Sequence, residues 1–167
     1  MSKILYLALS LMIQFILNNQ VIETTVKSGI TLLDFIRENQ QLKGTKIGCR
    51  EGDCGACTVF LDGETVNTCL IFAVEAHGSE IKTIEGLGDG DALTDLQQAF
   101  VDYHSVQCGY CIPGMILSGE QILKDISTPD REEIKHGLAG NICRCTGYHK
   151  IIDAIEMIAN ERKKTQI

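Results

Sequence analysis

The residues that could do chemistry here are cysteines: eight in a chain of 167. They divide into two groups of four. The first is Cys49, Cys54 and Cys57 in a C-x4-C-x2-C pattern, with Cys69 as a distant fourth member. The second is Cys108-x2-Cys111 followed by Cys143-x-Cys145. Two sets of four soft thiolate ligands are what two metal centres require. The stretch from Gly48 to Cys57 also carries Gly52 and Gly55. These glycines let a loop enter positive φ and bring its backbone close to the sulfurs, where freed N–H groups can point at them. The spacing C-x4-C-x2-C…C is the plant-type 2Fe–2S pattern.

Other uses of eight cysteines fit less well. A disulfide framework suits an even count, but Cys-x-x-Cys pairs make awkward structural bridges. Zinc also takes four thiolates. However, C-x4-C-x2-C is not its usual knuckle, and Cys143-x-Cys145 is tight for two ligands of one tetrahedral ion. A catalytic cysteine needs an ordered base, and no residue pattern nominates one. Rieske ligation needs two histidines, whereas His77, His104, His136 and His149 are scattered and read as surface or helix-end residues. Spacing alone leaves the occupant of the second quartet open.

The elements around the quartets fall into two halves. From Met12 to about Ile84 the pattern is short strands, tight turns and one helix. Ile13, Phe15 and Leu17 alternate as a strand, Asn18-Asn19 is a turn, and Ile22 to Val26 returns. Thr31 to Asn39 reads as a helix with Thr31 and Asp34 as a capping box and Leu32, Phe35 and Ile36 on one face. Thr58 to Val66 is a hairpin about Asp62-Gly63, and Ile81 to Ile84 is a last short strand. Residues 85–91 read as a glycine-rich linker.

Everything beyond the linker has helical periodicity. Leu93–His104 carries a stripe of Leu96, Phe100 and Val101, and Ile112–Lys124 has Pro113 in its first turn. A third helix starts at Thr128-Pro129 and continues through Ile134 and Leu138. Lys150–Lys164 buries Ile151, Ile155 and Ile158 and ends on Arg162, Lys163 and Lys164, which complement its dipole. A four-helix unit follows.

Residues 1–11 are expected to form an extension outside the fold. Ile4 to Leu17 is only fourteen residues of mostly apolar character, too short for a bilayer span. Lys3 ahead of that run, with Ala8-Leu9-Ser10, is a poor secretory signal. No membrane span and a cytoplasmic location are therefore expected. With 15 Lys+Arg against 22 Asp+Glu, a formal −7, no electrostatic nucleic-acid partner is expected.

Three segments resemble one known family: GCREGDCGACTVFLDGETVNTCL (48–70), QCGYCIPGMI (107–116) and GLAGNICRCTGYHKI (137–151). In this order they are similar to the small iron–sulfur subunit of the molybdenum hydroxylases, the xanthine dehydrogenase and aldehyde oxidoreductase family. The resemblance spans about Ile13 to Met157. It implies an α+β chain: a plant-ferredoxin-like β-grasp domain over 12–84, the linker, and an all-α four-helix bundle domain over 92–167. It further implies a 2Fe–2S cluster on Cys49, Cys54, Cys57 and Cys69, and a second on Cys108, Cys111, Cys143 and Cys145, both pairs of the latter standing before helix starts. Gln107 would hydrogen-bond the molybdenum pterin cofactor of a large molybdenum-binding partner.

Electrons would run from that partner through the helical quartet to the loop quartet, then to FAD in a medium subunit. No catalytic residue is expected on this chain, because nothing in it resembles a substrate site. The helical quartet is expected to be shielded against the molybdenum partner and the loop quartet to lie nearer the outer acceptor, on an exposed loop. The alternative reading is an independent ferredoxin-like electron carrier, for which the second half is superfluous.

Overall fold

The computed structural model describes residues 10–88 and 92–165. Two strands, β1 (Ser10–Leu17) and β2 (Gln20–Lys27), pair antiparallel about Asn18-Asn19, whose φ values of 49° and 66° match a turn of residues tolerant of positive φ. Ile13, Phe15 and Leu17 point into the core on alternate positions. The strand reaches back to Ser10, opposite Lys27, so Ser10 and Leu11 belong to the sheet rather than to an extension. The reason is pairing: β2 runs on to Lys27 and offers both residues a hydrogen-bonding partner. The remaining extension, 1–9, lies outside the described residues.

A short helix, α1 (Leu32–Asp34), starts on Thr31, whose hydroxyl accepts from the Asp34 amide at 3.1 Å. It widens into a π-helical stretch, Phe35–Asn39, closed by Gln40 N–H donating to the Phe35 carbonyl. Leu32, Phe35 and Ile36 are fully buried, and Phe35 meets Phe15 edge to face with centroids 5.5 Å apart. The hairpin follows as β3 (Thr58–Leu61) and β4 (Glu64–Asn67), with Asp62 and Gly63 both at positive φ. The last strand, β5 (Glu80–Lys82), starts one residue earlier and ends two residues earlier than expected, giving way to a 3-10 turn over Ile84–Gly86. The sheet order is β2-β1-β5-β3-β4, mixed because β1 and β5 run parallel.

The segment expected to be a linker is partly built into the structure. Glu85 accepts from the Gly44 amide and from the Thr83 hydroxyl, and Ile84 and Leu87 pack on the helical core. Residues 89–91 lie outside the described residues. Four helices follow: α2 (Asp95–Asp102), α3 (Ile112–Asp125), α4 (Arg131–Gly137) and α5 (His149–Thr165). With α1 there are five α-helices among the described residues.

Ile151, Ile155 and Ile158 of α5 are buried as their spacing requires, against Leu96 and Phe100 of α2 and Met115 of α3. Val101 does not join the stripe and is 54% exposed, since the eight-residue α2 turns it to solvent. The start of α4 is also displaced. Asp130 rather than Thr128 is the N-cap, because its carboxylate accepts from both the Glu132 and Glu133 amides.

Candidate metal centres

Three devices position the first quartet. Cys49 and Cys54 lie on the loop after α1, and the side chain of Arg50 in that loop grips Asp34 of α1 at 2.8 and 2.9 Å. Arg50 beside it, first by hydrogen bond, holds the Asp34 carboxyl below the usual carboxylate range. Asn67 of β4 donates to the Gly52 carbonyl at 2.7 Å and pins the loop to the hairpin. The hairpin itself delivers the distant cysteine. Because Thr58 faces Asn67, the register carries Cys57 opposite Thr68, whose amide and hydroxyl both donate to the Cys57 carbonyl. Cys69 is the next residue.

The second quartet comes from two helix starts. Cys111 is the N-cap of α3, with Cys108 one turn ahead of it. Cys143 and Cys145 lie on the loop entering α5. Tyr148, at φ 67°, braces that loop: its hydroxyl accepts from the Cys143 amide at 2.9 Å and donates to the Asn141 carbonyl at 3.2 Å.

Within each quartet the thiols lie near enough in pairs to shift one another's ionisation. Cys49 adjoins Cys54 and Cys57 adjoins Cys69. Cys108 adjoins Cys145 and Cys111 adjoins Cys143. Among the described residues no three such side chains converge on a single-ion site. Two pairs, rather than one convergent set of four, suit a two-iron core in which each iron takes two thiolates. They do not suit one tetrahedral zinc. The histidines stand apart: His77 accepts from the Gln14 amide, His136 lies in the last turn of α4, and His149 opens α5.

The donor chemistry fits the same core. Backbone amides point at sulfur, from Cys49 to Cys54 Sγ and from Glu51 to Cys49 Sγ, both at 3.3 Å, and from Thr146 to Cys143 Sγ at 3.4 Å. The Glu51 amide, with the Cys54 thiol next, brings Cys49 down to about 7. Burial, then the neighbouring Cys57, pushes Cys69 up to about 11. Burial, then Cys143, pushes Cys111 up to about 12. Burial opposes ionisation of Cys143 as well, but the Thr146 hydroxyl and amide outweigh it and lower this thiol. The shared hydrogen bond with Cys108 raises Cys145. Cys69, Cys111 and Cys145 therefore resist ionising on their own. A cationic iron–sulfur core in their midst removes that penalty, which is the condition for a site that loads metal and releases protons.

Exposure differs between the quartets. Cys108 and Cys145 are the exposed cysteines of this chain, whereas no member of the loop quartet is. The loop quartet is covered because the second half packs directly over it. The Ile142 amide donates to the Cys54 carbonyl at 2.9 Å, and the Tyr110 hydroxyl donates to the Ile47 carbonyl. Gln107 is exposed beside Cys108.

Two family models describe this architecture, one half each. A "2Fe-2S iron-sulfur cluster binding domain" matches residues 15–84, and a "[2Fe-2S] binding domain" matches residues 83–156. The chain is 43% identical over 150 residues to the caffeine dehydrogenase subunit gamma of Pseudomonas sp. strain CBB1, covering 88% of this chain and 90% of that one. It is 45% identical over 161 residues to the aldehyde oxidoreductase iron–sulfur-binding subunit of Escherichia coli O157:H7, covering 87% of this chain and 70% of that one. Among solved structures, quinoline 2-oxidoreductase from Pseudomonas putida 86 superposes with a TM-score of 0.89 at 39% identity, covering 95% of this chain and 99% of the matched chain.

Fold, paired thiols and relatives together define a 2Fe–2S iron–sulfur protein of an oxidoreductase complex. The chain belongs to the small iron–sulfur subunits of the molybdenum hydroxylases, and its role is electron transfer. Sequence reasoning passed over Asn141, Thr146, Tyr148 and the Arg50–Asp34 pair. Thr146 and Tyr148 stand next to cysteines and could have been flagged from that. Nothing local marks Asn141, whose side-chain partners lie far along the chain, and Asp34 was marked only as the capping partner of Thr31.

Proposed function

We propose that this chain carries two 2Fe–2S clusters, one on Cys49, Cys54, Cys57 and Cys69 and one on Cys108, Cys111, Cys143 and Cys145. The first half is then a β-grasp domain of plant-ferredoxin type and the second a four-helix bundle. The observation that carries the reading is the meeting of each quartet's thiols in two pairs, in loops that turn amides toward sulfur. When bound, such centres supply one-electron chemistry, and the side chains hold, orient and tune them.

The exposed pair Cys108 and Cys145, with Val106, Tyr110 and Ile142 as exposed apolar neighbours along the chain, supports a face that meets a large molybdenum-binding subunit. Gln107 lies on this face and is proposed to hydrogen-bond the pterin of the molybdenum cofactor there. Electrons enter at the helical quartet and leave by the loop quartet, with FAD in a medium subunit as acceptor. No described helix is long and apolar enough to cross a membrane, and a cytoplasmic location is proposed.

Anaerobically purified protein is expected to carry close to four iron and four sulfide per chain, the sum for two such clusters. Two distinguishable EPR signals are expected after dithionite. Bound zinc without sulfide, or a single signal with half the iron, overturns the reading.

A further inference from the structure

The two quartets are joined by main chain at one point. The Cys54 carbonyl accepts from the Ile142 amide, and Ile142 is bonded to Cys143, so the route from the Cys54 sulfur to the Cys143 sulfur is covalent except for one 2.9 Å hydrogen bond. Tyr148 braces the Ile142 loop on its own side, and the bond also needs that loop held against the Gly55 loop. The residue placed to do so is Asn141, 5% exposed and next in sequence to Ile142.

Every polar atom of the Asn141 side chain is used. Its Oδ1 accepts from Ser118 of α3 at 2.7 Å. Its Nδ2 donates to the Gly55 carbonyl at 3.1 Å and to Thr58 Oγ1 of β3 at 3.3 Å. Its backbone amide donates to Leu138, and its carbonyl accepts from Tyr148. One carboxamide thus ties α3, the residue after Cys54 and the loop before Cys143 into one knot. The backbones are bare where they meet. A Cβ at Gly55 would lie 2.4 Å from the Gly140 carbonyl oxygen, and one at Gly114 would lie 2.3 Å from the Gly55 oxygen.

We infer that Asn141 is the positioning residue for electron passage between the two quartets: its carboxamide clamps the Gly55 and Ile142 loops so that the Cys54 carbonyl and the Ile142 amide stay hydrogen-bonded. This rests on the proposal that both quartets hold 2Fe–2S clusters. One electron passes from the reduced helical centre to the oxidised loop centre, and no bond is made and no proton moves. Asn141 ligates nothing. An amide serves here because aspartate lacks the N–H groups, and alanine leaves the Ser118 hydroxyl without this acceptor and the Gly55 carbonyl with donors from Thr58 alone, none from the second half.

The test uses the assembled complex with Asn141→Ala, and with Ser118→Ala as a milder variant that removes only the Oδ1 support. Both are expected to keep their iron and both EPR signals. Amide exchange in the peptide containing Ile142 should rise roughly tenfold in Asn141→Ala, the change that losing a buried hydrogen-bond partner produces. The mutual broadening of the two signals should weaken, and the loop centre should fill more slowly after the helical one. Ser118→Ala should move all three the same way by less, and it decides the matter alone if Asn141→Ala fails to load iron. Unchanged exchange and broadening with both signals present overturn the role of Asn141. A wild-type complex without two 2Fe–2S signals overturns the function proposed above instead.

Discussion

Gly55 shows how little freedom a single position retains between two cluster loops. Its φ is +66°, and a Cβ there would strike the backbone oxygen of Gly140, which cannot move aside as a side chain can. Left-handed backbone costs an L-residue about 1–2 kcal/mol, and overpacking adds roughly 1–3 kcal/mol. Gly55→Ala should therefore lower the thermal midpoint of the loaded protein by several degrees, at about 2–4 °C per kcal/mol for a chain of this size. Gly78 has φ +84° but open space around it, so Gly78→Ala should show the backbone cost alone. Gly29, with open space and no left-handed φ, should be nearly neutral on substitution. Thermal melts of the three variants separate the terms. Equal shifts for Gly55→Ala and Gly78→Ala would show that the loops are not in van der Waals contact.

Between elements, the quartets depend on how the hairpin and helices are clamped. The helices are tied by Arg162 of α5, which reaches Asp95 in the first turn of α2 and Glu120 of α3. Its guanidinium, first through the hydrogen bond, holds the Asp95 carboxyl below the usual carboxylate range. A depressed carboxylate contributes its stability above its unfolded value, and loses it only as pH falls through the lower folded one. The Asp95–Arg162 contribution should therefore stay flat from about pH 8 down to about pH 5, since the unfolded value lies near 3.9. With Asp95 47% and Arg162 32% exposed, the pair is solvent-screened and worth about 0.2–1 kcal/mol. Melts of wild type and Arg162→Gln, which also loses the Glu120 pair, should differ across that range by a constant offset, of which the Asp95 pair contributes roughly 0.4–4 °C. A gap that grows or closes within the window would assign the pH dependence to another group.

At the scale of the molecule, the second half packs over the loop quartet and leaves Cys108 and Cys145 exposed, so the chain presents its two quartets to different surroundings. Replacing Cys108 with Ser should remove one EPR signal and weaken association with the large subunit, because the exposed face around the α3 start loses its anchor. Replacing Cys54 with Ser should remove the other signal, leave substrate reduction of the molybdenum partner intact, and block onward transfer. Single-turnover reduction of the molybdenum centre in each variant decides it. Loss of that first reduction in Cys54→Ser, with Cys108→Ser unaffected, reverses the relay order.

What the sequence determined by itself is whatever rests on neighbours along the chain. The C-x4-C-x2-C spacing, the alternation of Ile13, Phe15 and Leu17, the Asp62-Gly63 turn and the three-four spacing of Ile151, Ile155 and Ile158 each involve residues a few positions apart. Strands, turns and helix faces were legible for that reason. The tertiary structure decided what depends on distant partners. Ser10 and Leu11 became strand because β2 extends beside them. The loop quartet was covered, and Cys108 and Cys145 exposed, by the docking of one half on the other. Asn141 acquired its place only there, because Gly55 lies 86 residues away along the chain and 3.1 Å away in space.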